Sequence, residues 1–261
     1  MSTGSADPPA TPLMTFGPLL ELDSLSKRFG SIVVADSLSL TVNPGDAVGM
    51  VGPNGAGKTS LFSLISGDLA PNSGEVRFEG RPVTRLDPAA RCRLGIGRTY
   101  QVPRSFEHMT VFENVLVAAH RGAGLHRGDA ADLAASVLVE THLRKEANWP
   151  ASRLGLIQRK RLELARALGS NPRLLLLDEV AVGLTEPEVA GLVEVVQRIR
   201  ARGVAVIWVE HVVRALVGMV DRLICLAGGK VIGDGEPHAV LSSPAVKEVF
   251  LGTSYGETAP P

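Results

Sequence analysis

Apolar positions follow two patterns along the chain. "DAVGMVG" (46–52), "LLLLDE" (174–179), "VAVIWVEH" (204–211) and "DRLICLAGG" (221–229) are nearly unbroken apolar runs, each leading into glycine, polar residues or a helical pattern. Runs without alternation suit strands covered on both faces, as in a parallel sheet between helices. "LLELDSLSKRF" and "SLSLTVNPG" alternate more and predict antiparallel strands near the N-terminus. After Lys58, the residues Leu61, Leu64 and Ile65 share one helical face, and Val189, Leu192, Val193, Val196 and Ile199 form a stripe over 186–202. That second helix opens on Thr185-Glu186-Pro187-Glu188, a capping box, and stops at Gly203. From about 103 to 165 no strand run occurs, and the richness in Ala, Leu, Arg and His reads as a helical insertion. The order predicts an α/β protein with a mainly parallel sheet, an N-terminal antiparallel β-subdomain and an inserted helical subdomain. No internal repeat is visible.

Composition narrows the partners. The 261 residues carry 27 basic and 27 acidic side chains, so the basic footprint of a nucleic-acid binder is absent. Cys92 and Cys225 have no metal-ligand spacing and read as isolated thiols. The opening "MSTGSADPPATPLMTFGP" has neither a basic residue nor an apolar centre, so it is read as a disordered lead-in over 1–18 rather than a secretory signal. Residues 253–261 read as a flexible tail. No stretch reaches the ~18 apolar residues of a membrane span, so membrane association is expected through a partner.

The chemistry begins at "GPNGAGKTS", Gly52 to Ser60, which fits G-x-x-x-x-G-K-[ST] between a strand and a helix. The segment is Gly52, Pro53, Asn54, Gly55, Ala56, Gly57, Lys58, Thr59 and Ser60. Glycines let backbone N–H groups converge on phosphate oxygens, and the helix N-terminus adds partial positive charge. Lys58 is placed to reach the β/γ-phosphates and Thr59 to offer a hydroxyl to Mg²⁺. A P-loop NTPase core of the RecA-like kind is expected. "LLLLDE" sets Asp178 and Glu179 at the carboxyl end of a buried strand, where ligands of open α/β sheets bind. Asp178 suits the Mg²⁺ shell and Glu179 suits a general base for water. "VIWVEH" puts His211 at the end of another strand. The other five histidines, His108, His120, His126, His142 and His238, read as surface residues.

The P-loop, "RTYQ" with Gln101, "KRLELARAL", "LLLLDE" and "VEH" occur in that order. The series resembles the ATP-binding subunit of ABC transporters over residues 19–252. "GIGRTYQVPRSFEHMTVFENVLVA" and the tail "VKEVFLG" resemble the branched-chain amino acid importer ATPases in particular. The resemblance implies that Phe29 stacks on adenine with help from Val34, that Gln101 contacts Mg²⁺ and reports nucleotide state, that Glu179 is the general base and that His211 senses the γ-phosphate. It implies ATP and Mg²⁺ as ligands. Its implied partners are permease subunits touched by the helical subdomain and, indirectly, a substrate-binding protein, at the cytoplasmic face of the membrane.

One motif departs from the family. Its L-S-x-G-Q signature aligns with Leu154, Gly155, Leu156, Ile157 and Gln158, so the serine is Gly155 and the glycine is Ile157. In the family, two ATP-binding subunits pair head to tail, and each signature serves the other subunit's ATP. The departure therefore weakens the partner's site and leaves this chain's own residues intact, which predicts a heterodimer with one strong and one weak hydrolytic site. The charges of Arg159, Lys160 and Arg161 read as a solvated face. Thr185 stands where many relatives carry aspartate. Other classes fit less well: a GTPase would carry N-K-x-D, which is absent, and ABC proteins of translation or repair carry tandem cassettes or long insertions. A regulatory ATP binder with little turnover fits the signature but not the intact Glu179 and His211. Amides or urea are alternative cargoes.

Overall fold

The computed structural model describes residues 17–210 and 216–249. His211, most of the N-terminal lead-in, the end of "VKEVFLG" and the 253–261 tail lie outside the described residues.

Two sheets form the frame. Strands β1 (Leu20–Phe29), β2 (Ile32–Val42), β4 (Ser73–Phe78) and β5 (Arg81–Pro82) make an antiparallel sheet in the order β2-β1-β4-β5. The second sheet contains β3 (Ala47–Val51), β6 (Ile96–Arg98), β7 (Leu174–Asp178), β8 (Ala205–Val209), β9 (Arg222–Ala227) and β10 (Lys230–Gly235), in the order β10-β9-β3-β8-β7-β6. Its pairings are parallel except the β9–β10 hairpin. The α/β class with a mainly parallel sheet and an antiparallel N-terminal sheet is thus as the sequence predicts. The four continuous runs became β3, β7, β8 and β9.

Continuous burial has a simple cause. Leu174 and Leu176 point into one core layer with Ile207, Met50 and Phe62, while Leu175 and Leu177 point into the other with Val206, Trp208 and Leu192. All four leucines are fully buried, each contributing about 1.5–3 kcal/mol by leaving water. Helix α1 (Lys58–Ser66) and the antiparallel sheet cover one face. Helices α3 (Val111–Arg121), α5 (Leu156–Gly169) and α6 (Glu186–Ala201) cover the other, and α4 (Arg127–Glu140) packs on α3 and α5. The structure places three helices and two short 3₁₀ turns between 111 and 169.

Helix ends follow local chemistry. Glu188 accepts hydrogen bonds from the N–H and the hydroxyl of Thr185, both at 2.8 Å, and Gly203 follows α6 at φ 85°. A second capping box, Thr110 with Glu113, starts α3 and was not read from the sequence. Helix α2 (Pro88–Leu94) supplies Arg91, whose buried guanidinium donates to the carbonyls of Leu64 and Ile65 at 2.7 and 2.8 Å. It satisfies the last carbonyls of α1, which lack partners within the helix.

Register decides where the chemistry sits. Asp178 lies beside Val209, and Val209 beside Met50. The carboxyl ends of β3, β7 and β8 are therefore level, and the segments that leave them share one edge of the sheet.

Candidate active site

The loop leaving β3 is a cradle that only glycine can build at two points. Gly52 has φ 152°, and a Cβ there would lie 2.1 Å from the Leu226 carbonyl oxygen. Gly57 has φ 102°, and a Cβ would lie 2.2 Å from the Val34 carbonyl oxygen. Gly57 caps α1, whose first turn carries no acidic residue, so the positive end of this helix faces the loop without an internal counter-charge. Pro53, Asn54, Gly55 and Ala56 complete the turn, with Asn54 and Gly55 exposed and Ala56 buried. The Lys58 ammonium reaches back across the loop to the carbonyls of Gly52 at 2.7 Å and Pro53 at 3.0 Å. Burial pulls its pKa below the ordinary lysine value, against the raising influence of the Glu179 and Asp178 charges. Thr59 is exposed and Ser60 half-buried at the start of α1.

Asp178 ends β7 with its Oδ1 buried and without a hydrogen-bond partner among the described residues. Its Oδ2 meets Arg98 Nη2 at 3.3 Å. Burial pushes its carboxyl up, and the Arg98 guanidinium opposes this. Asp178, Thr59 and Gln101 line one small cavity, together with Arg98. An orphaned carboxylate oxygen beside a hydroxyl is the donor chemistry of a hard divalent cation, so these residues fit Mg²⁺. Among the described residues no cluster of three or more His, Cys, Asp or Glu could hold a metal by protein ligands alone.

Glu179 is the first residue past β7 and has φ 49°, a left-handed conformation that costs a non-glycine residue about 1–3 kcal/mol. Its N–H donates to Val209 O at 3.0 Å, and its carboxylate accepts from Gln101 Nε2 at 2.5 Å. The structure thus brings Lys58, Thr59, Gln101, Asp178 and Glu179 to one place. Phe29 is half exposed at the end of β1, with Lys27 Nζ 5.1 Å from its ring centroid. The Val34 carbonyl touches the P-loop side of α1 at Gly57.

The signature segment lies at the start of α5. Leu154 is buried, Leu156 is exposed, and Ile157 and Gln158 are half-buried. Gly155 is the N-cap, with no side-chain hydrogen bond in that role. The three charges that follow are not one solvated face. Arg159 donates to the carbonyls of Leu154 and Ser152, and Lys160 is buried, donating to the carbonyls of Gln101 and Glu179 at 3.2 Å each. The reading of Lys160 as solvated is corrected: α5 begins over the segments that leave β6 and β7, so its second turn faces inward. The five histidines read as surface residues are all exposed. Both cysteines are free, and burial pushes the Cys225 thiol up to about 11.

Sequence reasoning missed three buried charges here. Arg98 ties Asp178 to Ser63, Ser66 and Asp68. Glu163 accepts from the N–H groups of Tyr100 and Arg104. Glu210 accepts from Ala181 N at 2.8 Å and Trp208 Nε1 at 3.0 Å. Burial pushes the Glu210 carboxyl up from its ordinary 4.5. A carboxyl held above its unfolded value contributes stability below that value and loses it as pH rises through the raised one. Glu210→Gln keeps an oxygen for both accepted bonds and removes the titration. Its stability relative to the parent is therefore expected to increase as pH climbs from 4.5 through the raised value. Urea midpoints at a series of pH values, followed by tryptophan fluorescence, check this.

A loop that glycine alone can form, feeding a helix whose positive end it exposes, is the architecture of a P-loop nucleotide-binding protein. Comparison with known proteins narrows the class. The ABC transporter family matches residues 35–182. The chain is 34% identical over 250 residues to the high-affinity branched-chain amino acid transport ATP-binding protein BraF of Pseudomonas aeruginosa, covering 90% of this chain and 98% of that one. It is 34% identical over 237 residues to the lipopolysaccharide export system ATP-binding protein LptB of Acidithiobacillus ferridurans, covering 91% and 98%. A crystal structure of an ABC transporter ATP-binding cassette in its ADP conformation matches with a TM-score of 0.80 and 29% identity, covering 90% of this chain and 99% of that one. The chain belongs to the ABC transporter family. It is the ATPase subunit of a transporter, binding and hydrolysing ATP and working with transmembrane permease components. Among the described residues no helix is long and apolar enough to cross a membrane.

Proposed function

We propose that the chain powers uptake of branched-chain or chemically related amino acids, at the cytoplasmic face of the membrane, through separate permease subunits served by a substrate-binding protein. The observation that carries this reading is the likeness to BraF across nearly the whole of both chains. LptB, an export ATPase, matches at the same identity, so the cargo is the part an experiment must decide.

The residues take these roles. Backbone N–H groups from Gly52 to Thr59 and the positive end of α1 bind phosphate oxygens, and Lys58 moves from the loop carbonyls to the β/γ-phosphates. Phe29 and Val34 border the adenine. Thr59, Asp178 and Gln101 would hold Mg²⁺, which neutralises charge on the phosphate oxygens. Glu179 accepts the proton of the attacking water, and Gln101, bonded to Glu179, ties that acid to the segment facing the permease. The resemblance assigns His211, outside the described residues, the role of γ-phosphate sensor. A groove lined by Tyr100, Phe106, Val117, Ala118 and Arg93 runs between the core and the helical layer, and it suits a permease loop.

Gly155 and Ile157 support pairing with a second, non-identical ATP-binding subunit. Without a serine hydroxyl the partner's γ-phosphate loses a hydrogen bond of about 1.5–3 kcal/mol. Reconstitution with permease, binding protein and candidate second subunit in vesicles tests both parts. ATP-driven uptake of leucine, isoleucine or valine is expected, with faster turnover per subunit in the mixed pair than in this chain alone. Uptake of none of the three would refute the cargo, and equal turnover would refute the asymmetric pair.

A further inference from the structure

Lys160 is a buried cation that the roles above leave unused. It is 5% exposed, on the second turn of α5, two residues past the signature positions. Its ammonium donates to the Gln101 carbonyl and to the Glu179 carbonyl, each at 3.2 Å. The negative groups around it are Glu210, Glu179, Glu163 and Asp178. Glu210 Oε2 is buried with no hydrogen-bond partner among the described residues. A buried ammonium is costly unless its donors are used. Here they join three separate segments: the start of α5, the loop after β6, and the turn after β7.

That turn needs holding. Glu179 sits at φ 49°, and a left-handed non-glycine residue persists only where its surroundings over-determine it. On one side its N–H is fixed to Val209 O. On the other its carbonyl is fixed by Lys160. The backbone conformation sets where the carboxylate aims, so Lys160 acts on that aim through the main chain.

We propose that Lys160 is a positioning residue for ATP hydrolysis: it locks the main chain of Glu179 and Gln101, and it transmits displacement of the α5 N-terminus, which carries the signature segment serving the partner's ATP, to this chain's own acid. The two nucleotide sites are thereby linked through one side chain. The inference rests on Glu179 being the general base.

The test compares Lys160→Met, Lys160→Arg and Glu179→Gln in the full-length chain within the assembled transporter. Misplacing a reacting group by ~1 Å costs on the order of 10²-fold, so Lys160→Met is expected to lower kcat about 10–100-fold, with KM and the affinity for a fluorescent ATP analogue nearly unchanged. Lys160→Arg, which keeps charge and donors, is expected to restore most of kcat. In the nucleotide-free chain, Lys160→Met is expected to speed hydrogen exchange at 179–182 while α1 and β7 stay protected. Unchanged kcat in Lys160→Met alongside an inactive Glu179→Gln overturns the role of Lys160 and leaves the acid standing. An active Glu179→Gln overturns the acid itself. Loss of kcat matched by loss of nucleotide affinity, or exchange rising throughout α5 and β7, shows a residue that only holds the fold and also overturns the proposal. If Lys160→Met does not fold, Lys160→Gln, which keeps two N–H donors on a shorter, uncharged stem, carries the same readouts.

Discussion

Glu179→Gln is expected to lower ATP turnover about 10²–10⁴-fold, the usual contribution of a general base. The carboxylate lies past the end of β7, where the register of β3, β7 and β8 collects the phosphate loop and the acids at one sheet edge. Glutamine has the same shape and cannot take a proton from water. It is expected to keep the left-handed main chain, because that conformation is held by Val209 O and Lys160 rather than by the carboxylate. Nucleotide affinity should therefore survive, which marks an interaction needed in the transition state and not in binding. Steady-state turnover and titration with a fluorescent ATP analogue separate the two quantities. Parent-like turnover in this variant would remove Glu179 from the chemistry.

The second large effect is expected at Gly57. In Gly57→Ala the new Cβ meets the Val34 carbonyl oxygen at 2.2 Å, and φ is 102°. A left-handed non-glycine residue costs roughly 1–2 kcal/mol, and overpacking against unyielding main chain adds about 1–3 kcal/mol. The obstacle is backbone of β2, so no side-chain rotation relieves it. The helix must shift, and the amide groups that face the phosphates shift with it. Loss of both stability and ATP binding is expected, read as a lower urea midpoint and a weaker nucleotide titration. Gly55→Ala is the comparison, since a Cβ there meets nothing within 4 Å and only its φ of 78° opposes the change. Equal effects at the two positions would show that close approach is not what Gly57 provides.

Much of this was legible in the sequence because two signals were strong. Unbroken apolar runs became the four central strands because the sheet is covered on both faces, and the P-loop stands out because Gly52 and Gly57 sit where a Cβ would strike backbone. Short elements were not legible. Strand β6 has three residues and β5 two, too few for a period to develop. The buried charges were the larger gap. In "RKRLELARAL" nothing separates Lys160 from Arg159 and Arg161, since all three are basic residues at the start of a helix. Their fates diverge only because α5 begins above the segments that leave β6 and β7, a tertiary fact. Arg98 and Arg91 are hidden for the same reason, each being a long cation that reaches acceptors on elements distant in sequence, Asp178 for Arg98 and the end of α1 for Arg91. The assignment of His211 falls outside the described residues.

Arg91 has a mechanical consequence. Its guanidinium plugs the rear of α1, while the front of that helix opens on Gly57 and the glycine-rich loop. A rod anchored by a cation at its tail and seated at its tip against the Val34 carbonyl offers an incoming anion a seat set by the folded chain itself, so little ordering is left for the moment of binding.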